Sequence, residues 1–300
     1  VSRDEMISPR VLARIRDLRL LARRVVEGMH TGIHESRQRG AGMEFNQYRT
    51  YEPGDDPSLI DWKLYARSDR YFVRESQRES QLSIWFLLDL TASMAQPSEQ
   101  VADWTKLRYA QAVIASLAWL ALRQGDAFGL LGFARERLAY VPCRRGRRHF
   151  DEFTVSLARL EPGGRWPLQR ELDALWEQMR SPGLALLITD LFEHEDEITT
   201  LAGKLAAAGK DVLVMQLLTQ AEREFPWRGE VVFRDRETGR EVELDASRYA
   251  PRYLERFTRD GERLARDLRR QNIEYREVLI ESPLDEVLAR YLETRAGHSA

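Results

Sequence analysis

From residue 82 onward the chain alternates between short unbroken apolar runs and longer stretches whose apolar positions recur every three or four residues. Ser83-Ile84-Trp85-Phe86-Leu87-Leu88 is a continuous run, as expected of a strand covered on both faces. Leu184–Thr189 and Val212–Leu218 read the same way, as does 127–133 with Phe128, Leu130, Leu131 and Phe133. Shorter strands are expected at 137–141 and 273–280, and Glu230–Phe233 with Glu241–Leu244, joined across Glu237-Thr238-Gly239, reads as a hairpin. Helical spacing predicts helices over 103–123 (Leu107, Ala110, Ile114, Leu117 and Ala121 on one face), 147–160, 167–179, 195–208, 247–270 and 284–294. The order is β-α-β-β-α-α-β-α-β-(hairpin)-α-β-α. It predicts an α/β fold with a doubly wound, mostly parallel sheet and an inserted hairpin at about 225–246. Ligands of such sheets sit at the carboxyl ends of strands, so the loops after Leu88, Phe133 and Thr189 are where chemistry is expected.

The first 80 residues do not follow that alternation. Ser8 and Pro9 read as N-cap and first turn of one helix carrying Val11, Leu12, Ile15, Leu18, Leu21, Val25 and Met29. Thr31–Met43, with Gly32, Gly40 and Gly42, reads as a loop. Residues 44–80 are dense in charge and aromatics, with a turn at Pro53-Gly54 and a strand at Tyr71–Arg74. The expected division is therefore an N-terminal segment, 1–80, and a sheet domain, 81–300.

Composition narrows the function. Of 300 residues 43% are hydrophobic and 31% charged, enough for a full core. The formal net charge of −2 offers no basic field for nucleic acid. A single cysteine, Cys143, leaves no internal disulfide and no cysteine-rich zinc site. No apolar run approaches the ~20 residues of a spanning helix, and Val1–Glu5 has no leader-like apolar stretch. These readings lead to the expectation of a soluble, cytoplasmic protein with no membrane span.

The first core strand ends in Asp89-Leu90-Thr91-Ala92-Ser93. An Asp with hydroxyls two and four residues on sets hard oxygen ligands on one tight loop, and Mg2+ favours such ligands. A second carboxylate is expected on a neighbouring strand end, where Asp190 follows Leu186–Thr189. The competing reading is that Asp89 and Ser93 only cap the following turn. The pattern Asp89-x-Thr91-x-Ser93 with this strand order resembles a von Willebrand factor A domain and its metal-ion-dependent adhesion site. The resemblance implies Mg2+ held by Asp89, Thr91, Ser93 and Asp190, with an open position for a partner's acidic residue. It also implies a distal Thr within Pro162–Pro167, where this chain has Arg165 and Trp166, so that Arg165 could bring positive charge to the site.

The stretch Glu44-Phe45-x-x-Tyr48-Arg49-x-Tyr51-x-Pro53-Gly54-Asp55-Asp56-x-x-x-Ile60-Asp61-Trp62-Lys63-x-x-Ala66-Arg67 resembles the hallmark of the bacterial domain of unknown function number fifty-eight, with Ser58 where an Arg is usual. Arg123-Gln124-Gly125-Asp126, Arg144–Arg148 and Glu222–Asp245 extend the resemblance over almost the whole chain. It implies an adaptor or chaperone-like partner of a MoxR-type AAA+ ATPase, with no established enzymatic activity. Many relatives carry membrane helices ahead of the motif; none is read here.

From the residues themselves, Arg49 and Arg67 are natural partners for Asp55, Asp56 or Asp61 beside Tyr51, with residues 58–67 a short helix anchored by Trp62. That network either pins the segment internally or forms a docking surface. Arg144, Arg145, Arg147 and Arg148 form the densest positive patch, suited to an acidic partner or left as a solvated loop. The five histidines lack ligand spacing. The leading expectation is a non-enzymatic interaction module that binds an acidic partner group through Mg2+. One alternative is a Mg2+-dependent phosphatase of the haloacid dehalogenase type with Asp89 as nucleophile. It lacks an acid at Thr91, and only Lys204 stands near a plausible place for its lysine. The other is a scaffold whose metal site has decayed.

Overall fold

The computed structural model describes residues 8–37, 48–50, 71–74, 82–135, 137–167, 179, 182–190 and 197–298. The chain forms two compact units, Val1–His30 with Leu82–Ala300, and Thr31–Gln81. The first unit holds the N-terminal helical region, up to His30, together with the sheet. The reason is apolar: Leu12, Leu18, Leu21, Ala22, Val25 and Val26 lie buried in the same core as the central strands.

That region is two helices and not the expected one, α1 (Pro9–Leu12) and α2 (Leu18–Arg37). Asp17 restarts the second. Its Oδ1 accepts the backbone N–H of Arg19 at 2.8 Å and of Leu20 at 3.4 Å, the work of an N-cap. Beyond it, α2 runs through the first part of the expected Thr31–Met43 loop. A lone glycine such as Gly32 weakens a helix without ending it.

In the smaller unit β1 (Tyr48–Thr50) pairs antiparallel with β2 (Phe72–Arg74), which sets Arg49 opposite Val73. Tyr51, Asp55, Asp56, Asp61, Trp62 and Arg67, and the helix expected at 58–67, lie outside the described residues. So do residues 168–178 of the helix expected at 167–179.

The larger unit follows the predicted alternation: β3 (Ser83–Asp89), α3 (Lys106–Gln124), β4 (Ala127–Ala134), β5 (Arg137–Arg144), α4 (Arg147–Ala158), β6 (Gly183–Thr189), α5 (Glu197–Ala207), β7 (Lys210–Leu218) and α6 (Gln220–Glu224). The hairpin β8 (Glu230–Arg234) and β9 (Glu241–Asp245), α7 (Ala246–Arg270), β10 (Glu274–Leu279) and α8 (Leu284–His298) complete it. Six strands form one sheet in the order β10-β7-β6-β3-β4-β5, parallel except for the edge strand β5. The hairpin is a separate two-stranded sheet.

The unbroken apolar runs are explained by what lies on either side. Ile84, Phe86 and Leu88 of β3 enter one core with α3, α4, α8 and the N-terminal helices. Trp85 and Leu87 enter a second core with Ile198, Leu201 and Leu205 of α5 and Leu268 of α7. Alternate residues of a strand point to opposite faces, so a sheet wrapped on both sides needs apolar side chains at every position. Close strand packing has a local requirement at Gly183. Its φ is 154°, and a Cβ there would stand 2.1 Å from the carbonyl oxygen of Ser83. Among the described residues no helix is long and apolar enough to cross a membrane.

Candidate functional site

The chain leaves β3 toward β4 and β5 on one side, then crosses back to β6 on the other side of β3. The crevice outside the carboxyl ends of β3 and β6 is thus the topological switch point of the sheet, where ligands of wound α/β sheets bind. Asp89 is the last residue of β3, and Asp190 follows the last residue of β6. The in-register pairing of Leu88 with Ile188 brings both to one place.

All four residues expected to form the site meet there. Asp89 Oδ1 accepts the backbone N–H of Thr91 at 2.8 Å. Ser93 Oγ donates to Asp190 Oδ1 at 3.1 Å, and Thr91 Oγ1 and Ser93 Oγ share a hydrogen bond of 2.9 Å. Both carboxylates are 2% exposed, Thr91 is buried, and Ser93 is half-buried and forms the solvent side of the cluster.

Three further residues complete the site, and the sequence pattern singles out none of them. Thr189 Oγ1 donates to Asp89 Oδ2 at 2.7 Å. Lys106, fully buried at the first position of α3, sets its Nζ 3.1 Å from Asp190 Oδ2 and 2.7 Å from Glu222 Oε1. Glu222 sits on α6, where its other oxygen accepts the N–H of Thr219 at 2.8 Å in a capping box. A usable signal for Lys106 exists. It shares the apolar stripe of α3 with Ala110, Val113 and Leu117, where a charge needs a buried partner.

The electrostatics follow from burial. Desolvation raises the Asp89 carboxyl from its ordinary value to about 7, and the Asp190 charge adds to the rise. The Thr91 N–H and the Thr189 hydroxyl only partly offset it. Burial pulls the Lys106 ammonium down, but Asp190 and Glu222 outweigh it and hold the group above its ordinary value. Lys106 thus stands between two carboxylates, ion-paired with both Asp190 and Glu222.

The donor set is of the kind a small, hard divalent ion takes: two carboxylates and two hydroxyls in one hydrogen-bonded cluster, with Asp89 raised by burial and by Asp190. Asp89, Thr91, Ser93 and Asp190 would hold it; Lys106 meets Asp190 at Oδ2, whereas Ser93 meets it at Oδ1. Among the described residues no group of three or more His, Cys, Asp or Glu is gathered for a metal.

The Pro162–Pro167 loop does lie against the Asp89 loop, through Gly163 N to Leu90 O at 2.7 Å and Ala92 N to Gly164 O at 3.0 Å. Its Arg165 is exposed. Among the described residues Lys106 is a cation that touches the cluster, and the Thr189 hydroxyl reaches Asp89. Lys204, weighed as a phosphatase lysine, is exposed on α5. The basic patch stands elsewhere. Arg144 pairs with Phe128 near the start of β4, whereas Asp89 pairs with Phe133 near its end. Arg144, Arg145, Arg147 and Arg148 therefore occupy the opposite rim of the sheet, about 16 Å away by strand rise, and share no surface with the carboxylates. The reason is the antiparallel edge strand, which carries the chain back to the amino ends before the patch begins.

Comparison with known proteins places the chain. The family described as "Protein of unknown function DUF58" matches residues 47–264. An uncharacterized protein of Mycobacterium tuberculosis, Rv1480, is 30% identical over 248 residues, covering 81% of this chain and 77% of its own. The uncharacterized protein YeaD of Bacillus subtilis is 28% identical over 110 residues, 37% of this chain and 25% of its own. Among solved structures, the conserved hypothetical protein BatB from Bacteroides thetaiotaomicron aligns with a TM-score of 0.46 at 16% identity, over 72% of this chain and 99% of its own. An aerotolerance-related membrane protein from Bacteroides fragilis aligns with a TM-score of 0.42 at 15% identity, over 71% and 99%. With a match over 47–264 and a 30%-identical relative across 81% of its length, the chain belongs to the DUF58 family.

Proposed function

We propose that this protein is a non-enzymatic interaction module of the von Willebrand factor A type, acting in the cytoplasm as an adaptor or chaperone-like partner of a MoxR-type AAA+ ATPase. In this reading Asp89, Thr91, Ser93 and Asp190 hold Mg2+, and the ion takes an acidic group of the partner from the Ser93 side. The observation that carries it is the meeting of two carboxylates and two hydroxyls at the switch point, with Asp89 raised to about 7 by burial and by the Asp190 charge. A phosphatase is less well supported. Position 91 is a threonine, so the leaving group has no carboxylic acid there, and the buried lysine is ion-paired with Asp190 and Glu222.

A second reading is favoured by Lys106 itself. Its ammonium already neutralises part of the site, as in a scaffold whose metal centre has decayed and whose cation is now part of the chain. Calorimetric titration with Mg2+ separates the two. The module predicts saturable binding by wild type that disappears in Asp190→Ala, and capture of the ATPase that fails in Asp89→Ala. Absence of Mg2+ binding by wild type leaves the scaffold.

A further inference from the structure

The hairpin β8–β9 is not hydrogen-bonded into the six-stranded sheet, so something else must fix the insertion relative to the rim. Two ties do so. At the hairpin turn, Arg236 Nε donates to Gln96 Oε1 at 2.8 Å, an exposed contact. At its base, Glu222 of α6 meets the buried Lys106, which also holds Asp190. The insertion is one body around that base. The Glu222 carbonyl accepts the Tyr253 hydroxyl of α7 at 2.9 Å. Phe225 packs on Trp227, Phe233 and Tyr253, with ring centroids 5.1, 5.6 and 4.6 Å apart. Exposed polar contacts hold little, whereas breaking a buried charge pair from one side is strongly unfavourable. Of the two side-chain ties, the Lys106–Glu222 pair is therefore the stronger, and it is the one that also reaches Asp190.

We infer that Lys106 is a positioning residue that latches the α6–hairpin insertion to the Asp89–Asp190 rim, so that the rim and the insertion act as one partner surface. The same ammonium orients Asp190 and anchors Glu222, so a change at either end is felt at the other. By linkage, a ligand at the rim that alters the hold of Asp190 on Lys106 alters the insertion, and a partner seated on the insertion alters the rim. This rests on the reading of the rim as a partner site, and a metal-free measurement separates the two.

The test is amide hydrogen exchange of the full chain in EDTA. Glu222→Gln removes the charge while keeping an acceptor for the Thr219 N–H, since Gln also serves a capping box. Amides of β8 and β9 are expected to exchange at least tenfold faster in it, with β3 and β6 unchanged. Thr219→Val, which weakens the cap but spares the ion pair, is expected to change them less than threefold. Lys106→Met should reproduce the Glu222→Gln effect, and the double variant should add nothing. If Lys106→Met does not fold, the contrast between Glu222→Gln and Thr219→Val decides. Unchanged hairpin exchange in Glu222→Gln overturns the latch, as does an equal effect of Thr219→Val. Mg2+ is then added. A hairpin response in wild type that is lost in Glu222→Gln supports the latch and the cation together. A loosened hairpin in Glu222→Gln with no Mg2+ response in wild type keeps the latch and removes the cation.

Discussion

Asp89→Asn isolates the electrostatic state of the rim. The substitution is nearly isosteric and keeps both local hydrogen bonds. The Asn carbonyl can accept the Thr91 N–H, and its amide can donate to the Thr189 hydroxyl oxygen. What it removes is the charge. The Asp89 carboxyl moves from 3.8 in the unfolded chain to about 7 in the folded protein, chiefly by burial and then by Asp190. Because the folded value is the higher one, Asp89 contributes its full stability below about pH 4, and that contribution is lost as pH rises toward 7. A rise of about 3 pKa units at 1.36 kcal/mol each amounts to about 4 kcal/mol. Denaturant unfolding in EDTA should therefore find Asp89→Asn more stable than wild type by about 4 kcal/mol at pH 8, falling to about 2 kcal/mol at pH 5. If the cation reading holds, Mg2+ narrows the gap at pH 8 by stabilising wild type alone. A gap independent of pH, or an Asn variant less stable at pH 8, would refute the account of Asp89 as a carboxyl raised by burial and by Asp190.

Three other outcomes follow from particular contacts. Tyr109→Phe should be neutral or stabilise by about 1 kcal/mol in thermal melts, because the Tyr109 hydroxyl is buried with no hydrogen-bond partner among the described residues. Gly183→Ala should cost about 3 kcal/mol by the same measurement. Its φ of 154°, and the Ser83 carbonyl oxygen 2.1 Å from where the alanine methyl would sit, leave room only for glycine. Replacing Arg144, Arg145, Arg147 and Arg148 together by Ala should shift Mg2+ affinity less than twofold in calorimetry, because about 16 Å of strand exceeds the Debye length of about 8 Å at physiological salt.

Much of this architecture is legible in the sequence. The unbroken run Ile84–Leu88 implies a strand with a core on each face, and Trp85 and Phe86 do lie in different cores. The hairpin and the long helix after it lie within a few residues of their expected places. The restart of the N-terminal helix is harder to see although Asp17 carries the signal, because an apolar stripe that continues across a short break hides the break. The capping box of α6 is likewise present in Thr219 and Glu222 but belongs to a helix too short to show a period.

Local pattern by itself determined where strands begin and end, and so set Asp89, Thr91, Ser93 and Asp190 at strand ends. Side-chain alternation and the helical repeat act over a few residues, and neighbours in sequence suffice to express them. Only the tertiary structure decided what those oxygens meet. Lys106 is 84 residues from Asp190 and 116 from Glu222, and the order in which strands enter the sheet brings the three together. The same ordering sent the arginine patch to the far rim and buried both carboxylates. Burial, and with it the raised Asp89 carboxyl, is a property of everything packed around a group, and no stretch of chain encodes that alone.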